Sequence, residues 1–236
     1  MKIENSIALV TGANRGIGLA LTNALLARGA KKVYAAARDP RSVTLPGVVP
    51  LRLDVTQPDQ VAAAAREAGD VTLVINNAGI ASTTKLLAPD AEATLAREVE
   101  TNAYGLLRVS RAFAPVLARN GGGALVNVLS VVSFINAPTL PTYSVSKSAA
   151  WSISNGLRNE LRAQGTQVVG VYVGFVDTDL TKGLQGDKHD PLDVAGTILT
   201  GVAANSEEIL VDEFSRKVKA GVGQEPSLYL HPPQRG

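Results

Sequence analysis

The chain has 236 residues, with 23 Lys and Arg against 21 Asp and Glu for a formal net charge of +2, and it is 45% hydrophobic and 19% charged. That composition belongs to a folded globular chain, and a near-neutral balance with no Lys/Arg-dense stretch argues against a nucleic-acid partner. Without any Cys, disulfides, Cys-ligated zinc and thiol catalysis are excluded. His189 and His231 stand far apart and outside any metal-binding pattern, so no metal is expected and both read as surface groups in polar loops.

Nothing near Met1 resembles a signal peptide, and no apolar run approaches the roughly 18 residues that cross a bilayer. A cytoplasmic location without membrane contact is expected. At this length one α/β domain over residues 1–236 suffices.

Ile7 to Val10 is a short continuous apolar run, the mark of a strand buried on both faces. Thr11-Gly-Ala-Asn-Arg-Gly-Ile-Gly18 follows at once, then a helical pattern from Leu19 to Arg28 closed by Gly29. In that order the three pieces make a phosphate site: Gly12, Gly16 and Gly18 permit a tight turn and close backbone approach, and the helix N-terminus offers unpaired N–H groups. A second strand, Val33 to Ala37, ends at Arg38. In a dinucleotide-binding sheet this end meets the adenosine ribose, where an acidic residue holds the 2′-hydroxyl and an Arg accommodates a 2′-phosphate. Arg38, with Arg15 from the Gly-rich turn, therefore points to NADPH, the alternative being two solvated charges. Asp39 beside Arg38 either orients that guanidinium or reaches the ribose itself.

A third strand, Val49 to Leu53, leads into Asp54-Val55, and a helix is expected from Asp59 to Ala68. Val71 to Ile75 is a fourth strand ending in Asn76-Asn77-Ala78-Gly79, which taken alone reads as a turn. A long helical region from Asp90 to Arg119 contains Asn102 and Gly105, both costly in mid-helix, Gly by about 1 kcal/mol relative to Ala. Helix–helix contact at Gly105 explains this, or a kink that sets Asn102 against the site. Gly121 to Gly123 ends the helix, and Ala124 to Leu129 is a buried strand ending at Ser130. After a helix from Tyr143 to about Ala163 come a strand from Val168 to Val173, a polar loop from Thr181 to Pro191 expected to be mobile, a helix from Leu192 to Ala203 and a strand from Glu208 to Asp212. The tail beyond, rich in Gly and Pro, has no assignment. Strands alternating with helices at this spacing predict a Rossmann-like, doubly wound parallel sheet of about seven strands with helices on both faces.

Tyr143-Ser-Val-Ser-Lys147 puts a phenol and an ammonium on one helix face. Such a pair is often an inconsequential surface pair, and its company makes the difference: Ser130 precedes it at a strand end, where open α/β sheets bind ligands. A Tyr with a pKa of about 10 becomes a useful proton donor near neutrality only when cations favour its phenolate. Lowering it to about 7 needs roughly 4 kcal/mol, more than one partly solvated Lys supplies. An oxidised nicotinamide ring is a second cation of the right kind.

The ordered set T-G-x-x-x-G-x-G (11–18), D-V (54–55), N-N-A-G (76–79), N-x-x-G (102–105), Ser130 and Y-x-x-x-K (143–147) resembles the short-chain dehydrogenase/reductase family over about residues 5–212. The resemblance implies that Tyr143 is the acid/base, that Ser130 hydrogen-bonds the substrate oxygen, that Lys147 holds the nicotinamide ribose and lowers the Tyr143 pKa, and that Asn102 positions a relay water. It places Gly12, Asn14, Arg15, Gly16, Ile17, Gly18 and Arg38 along the NADP phosphates and adenosine ribose, Asp54 and Val55 at the adenine, and Asn77, Ala78, Gly79, Gly174, Val176 and Thr178 along the rest of the cofactor cleft. Val173 stands where the family usually has Pro.

Ile80, Val131, Val132, Phe134, Leu140, Phe175 and Leu180 are expected to wall an apolar substrate pocket, with no cation placed for a carboxylate or phosphate. The function implied is NADPH-dependent reduction of a hydrophobic ketone, or oxidation of the matching secondary alcohol, in a homodimer or homotetramer. The alternatives are a keto-acyl thioester reductase, a sugar-nucleotide epimerase, for which the large C-terminal domain is missing, and a non-catalytic dinucleotide sensor, against which Ser130, Tyr143 and Lys147 all speak.

Overall fold

Strands β1 (Ile7–Thr11), β4 (Leu73–Asn76), β5 (Ala124–Val128) and β6 (Gln167–Tyr172) are almost wholly buried, which is why they read as unbroken apolar runs. The structure, a computed structural model, describes residues 1–232. With β2 (Lys32–Ala37), β3 (Val49–Arg52) and β7 (Glu208–Leu210), these strands form one seven-stranded sheet in the order β3-β2-β1-β4-β5-β6-β7, every pairing parallel. The edge strand β3 exposes all but Leu51. The chain winds outward from β1 to β3 and then returns to β4 on the other side of β1, so the switch point lies between β1 and β4, where such sheets bind ligands.

Helices α1 (Gly16–Ala27) and α6 (Pro191–Ala203) cover one face, and α2 (Pro58–Glu67), α4 (Gly105–Arg119) and α5 (Pro141–Leu161) cover the other. The doubly wound expectation is met. The long helix expected from Asp90 to Arg119 is instead α3 (Ala91–Val99), a π turn over Glu100–Tyr104, and α4, the Gly105 amide bonding back to the Glu100 carbonyl. A Cβ at Gly105 would sit 2.7 Å from Val55 Cγ2. The glycine is thus required by the chain leaving β3, not by a second helix.

Two elements bear on the site. Asn76 and Asn127 are register partners on β4 and β5, and Asn76 Nδ2 donates to Asn127 Oδ1 at 2.9 Å and to Ser110 Oγ of α4 at 3.0 Å, while Asn127 Nδ2 donates to Ser154 Oγ of α5 at 2.9 Å. The tail left unassigned above forms α7 (Glu213–Val222), capped by Asp212, whose Oδ1 accepts the Ser215 amide at 2.6 Å. From α7, Val218 packs in one apolar cluster with Val131, Val132, Leu140 and Tyr143. Among the described residues no helix is long and apolar enough to cross a membrane.

Candidate active site

Gly12 and Gly16 take φ of +65° and +54°, the left-handed region that glycine enters without a Cβ penalty. Gly18 answers a different need, since a Cβ there would lie 2.1 Å from the Gly12 carbonyl oxygen. Thr11 Oγ1 accepts the amides of Asn77 at 2.9 Å and Ala78 at 3.0 Å, and Asn77 Nδ2 donates to the carbonyls of Thr11 at 2.9 Å and Gly12 at 3.2 Å. The Asn-Asn-Ala-Gly segment is therefore bolted to the Gly-rich turn across the switch point. Thr11, which carries half of that joint, stood in the motif without a role.

Above the joint lies a cleft of about 630 Å³. Every residue expected to hold the cofactor lines it except Gly18, which is buried under the turn. At the adenosine end Ala37, Arg38 and Ser42 face the cleft. Asp39 lines the cleft beside them, and its carboxylate accepts the Arg41 amide, Nε and Nη2, each at 3.0 Å, the Arg41 guanidinium holding its carboxyl below the usual range. Arg38 has no ion-pair partner among the described residues. Arg15 Nη1 pairs with Asp179 Oδ2 at 3.0 Å, both side chains well exposed, so the pair is weak and easily exchanged. Asp54 Oδ1 accepts the Thr56 amide at 2.9 Å and hydroxyl at 2.7 Å.

At the other end, β5 delivers Ser130 and the first turn of α5, opened by Pro141, delivers Tyr143. Ser130 Oγ donates to the Val173 carbonyl at 3.4 Å and accepts the Val132 amide at 3.4 Å. Lys147, one turn after Tyr143, is buried, donates to the Val128 carbonyl at 2.8 Å and stands 5.7 Å from the centre of the Tyr143 ring. Burial pushes the Tyr143 phenol above its ordinary value; Glu98 adds in the same direction and the Ser130 hydroxyl opposes. The same burial pushes the Lys147 ammonium down to about 8.

Asn102 spends its side chain as a clamp: Oδ1 accepts the Ile80 amide at 2.9 Å, and Nδ2 donates to the Ile80 carbonyl at 2.8 Å and to Ser146 Oγ at 2.9 Å. Asn102 and Lys147 both border a void of about 10 Å³ under the cleft, shared with Asn76, whose Oδ1 lacks a partner. That is about the room one water requires.

Of the expected substrate wall, Ile80 and Leu180 line the cleft, and Val131, Val132, Leu140 and Phe175 surround Tyr143 with Phe214 and Val218. Phe134, partly buried, packs against the same cluster, and its ring also lies 4.5 Å from Tyr172 and 5.4 Å from Trp151. His189 keeps its side chain 42% exposed, with Nε2 3.4 Å from Oδ2 of the buried Asp212, and its backbone pairs with Phe175 and Asp177. The segment from Thr181 to Pro191, expected to be mobile, is thereby tied to the cleft wall. Among the described residues no cluster of His, Asp and Glu could hold a metal.

An open parallel sheet with a Gly-rich turn opening on a cleft at its switch point defines a dinucleotide-binding α/β protein. The pattern of the short chain dehydrogenase family matches residues 6–189, and the chain belongs to that family. A 3-oxoacyl-acyl-carrier-protein reductase of Vibrio cholerae is 30% identical over 198 residues, 80% of this chain and 81% of the relative. Galactitol 2-dehydrogenase (L-tagatose-forming) of Cereibacter sphaeroides is 34% identical over 191 residues, 76% and 75% of the two chains. The crystal structure of a short chain dehydrogenase from Burkholderia cenocepacia in complex with NADP matches with a TM-score of 0.92 and 36% identity over 96% of each chain. This protein is an oxidoreductase that works with a nicotinamide cofactor.

Proposed function

We propose that the chain is a single-domain, NADPH-dependent reductase of hydrophobic ketones, running in reverse on secondary alcohols. The observation that carries this is the meeting of the Ser130 hydroxyl and the Tyr143 phenol at one cleft wall, with the Lys147 ammonium a turn behind. NADPH, when bound, supplies the hydride. Ser130 and Tyr143 donate hydrogen bonds to the carbonyl oxygen, stabilising the charge that develops there, and Tyr143 delivers the proton. Lys147 holds the ribose, and its side chain with the small void beside Asn102 offers a path by which a water returns the proton. Burial holds the phenol high, and the positive charge of an oxidised nicotinamide, if bound there, would ease it toward ionisation.

The residues present fit such a cofactor: a glycine cradle at 12, 16 and 18, unpaired amides at the α1 N-terminus, and a cleft reaching from Arg38 to Tyr143. Arg38 without a partner and the exchangeable Arg15 favour a 2′-phosphate. The apolar cluster around Tyr143 favours a ketone without a charged group, acting in a homodimer or homotetramer. A keto-acyl thioester is the second reading, favoured by the Vibrio cholerae relative.

The test is the absorbance of NADPH with aryl ketones, keto esters, steroids and a keto-acyl thioester, for the parent and for Tyr143→Phe. Turnover should fall by more than about a hundredfold, the low end for a positioned acid, with cofactor affinity kept. Retained turnover removes Tyr143 from its role, and bound cofactor with no turnover on any substrate favours the sensor.

A further inference from the structure

One buried ionisable group takes no part in the chemistry above. Glu98 on α3 is 1% exposed, and among the described residues neither carboxylate oxygen completes a hydrogen bond. The Thr142 hydroxyl and the Ser82 amide act on it. The spacing explains the placement. Glu98 and Asn102 are four apart and face α5, where Thr142 and Ser146 are also four apart; Asn102 bonds Ser146, and Glu98 lies alongside Thr142. Tyr143 and Lys147 occupy the neighbouring stripe of α5, each one residue further on. Asn102 thus clamps one end of the segment leaving β4, at Ile80, and Glu98 approaches the next part of it at Ser82.

A carboxyl in this position without a cation partner is pushed up by its burial, opposed by Thr142, Ser82 and Arg97. When it does ionise, its charge acts on the phenol next to Thr142. The other groups facing Tyr143 are few. Its own helix presents Lys147, β5 ends in the uncharged Ser130, residues 131–133 carry no charge, and α7 turns Val218 toward it. Lys85 of the preceding loop is engaged with the Pro138 carbonyl. Glu98 is the acidic group in this set.

We propose that Glu98 is a positioning residue for Tyr143: buried on α3 in register with the first turn of α5, it packs beside that turn and sets a carboxyl next to the phenol. This rests on Tyr143 being the acid of the proposed reaction. In the reductive direction Tyr143 must carry its proton, so ionised Glu98 extends reduction to higher pH. Oxidation needs the phenolate, and there ionised Glu98 delays the rise of activity.

The experiment compares kcat/KM against pH for reduction and oxidation in the parent, Glu98→Gln and Glu98→Asp. With Gln the alkaline limb of reduction and the rising limb of oxidation should both move to lower pH, by at least about half a unit for loss of a nearby like charge, with KM for NADPH unchanged. Asp, which keeps the charge, should leave the limbs near their parental positions. Glu98→Met carries the same expectation as Gln and serves if Gln does not fold. Superimposable profiles, or equal shifts with Gln and Asp, overturn the proposal. A phenolate absorbance titration, with Tyr143→Phe as the blank among five tyrosines, reads the same shift without turnover. If no ketone reacts but the phenol still moves in Glu98→Gln, the reductase reading fails and the Glu98–Tyr143 coupling stands.

Discussion

Asp212 Oδ2 accepts the Gly174 amide at 2.7 Å while its Oδ1 accepts the Ser215 amide, so one buried carboxylate joins the strand end that walls the cofactor cleft to the start of α7. Asp212→Asn turns one oxygen into a donor facing a donor. The cost should be about 1–3 kcal/mol, the penalty of an unsatisfied buried group, with a weaker grip on cofactor. Thermal unfolding with and without NADPH checks this; an unchanged Tm would show that the tie carries no load.

Cofactor choice should rest on Arg38. Asp39 is paired with Arg41 and Ala37 offers no acid, so a 2′-phosphate meets the unpaired Arg38 guanidinium. A charge-assisted bond is worth about 1.5–3 kcal/mol, or roughly ten- to a hundredfold in preference less solvent screening. Arg38→Leu should lower the NADPH/NADH ratio of kcat/KM, and Ala37→Asp should invert it. Equal use of both cofactors by the parent would refute the assignment.

Val173 stands where the family usually has Pro, and the structure allows the exchange: its carbonyl accepts the Val131 amide at 3.1 Å, but among the described residues its own amide has no backbone acceptor. Val173→Pro should be neutral or stabilising by up to about 1 kcal/mol through the unfolded chain. A large fall in Tm would mean that this strand end does not have the φ that proline imposes.

Lys147 gives a pH signature. Its ammonium is depressed from 10.5 to about 8 by burial, so between these values the unfolded chain binds a proton that the folded chain has lost. Stability contributed by this residue therefore rises with pH across that window. The difference in unfolding free energy, Lys147→Met minus parent, should fall by about 1.4 kcal/mol per pH unit there, and a flat difference would place the ammonium in contact with solvent.

The central strands were legible because burial on both faces leaves nothing but apolar residues, and the Gly-rich turn because left-handed φ and a 2.1 Å approach tolerate no side chain. Tyr143 and Lys147 were legible through helical spacing. The π turn was not, since a shift from i+4 to i+5 bonding leaves no mark in composition. The segment after β7 hides α7 because Asp212 closes an apolar run and reads as a strand end, whereas it is the cap of a short helix. Glu98, beside Arg97, carries no mark in the sequence; only the packing of α3 on α5 buries it.

The line Ser110–Asn76–Asn127–Ser154 crosses the sheet just below the cleft, from α4 to α5. Side chains alternate between faces along a strand, so sliding β4 against β5 by one residue would turn one asparagine into the opposite, largely apolar layer. Each polar group stranded there costs about 1–3 kcal/mol, whereas apolar neighbours of similar size would exchange places at little cost. The asparagines thus act as a proofreading key during assembly: they reject the misaligned sheets that the Val- and Leu-rich strands would otherwise accept, and so fix the height at which Ser130 leaves β5.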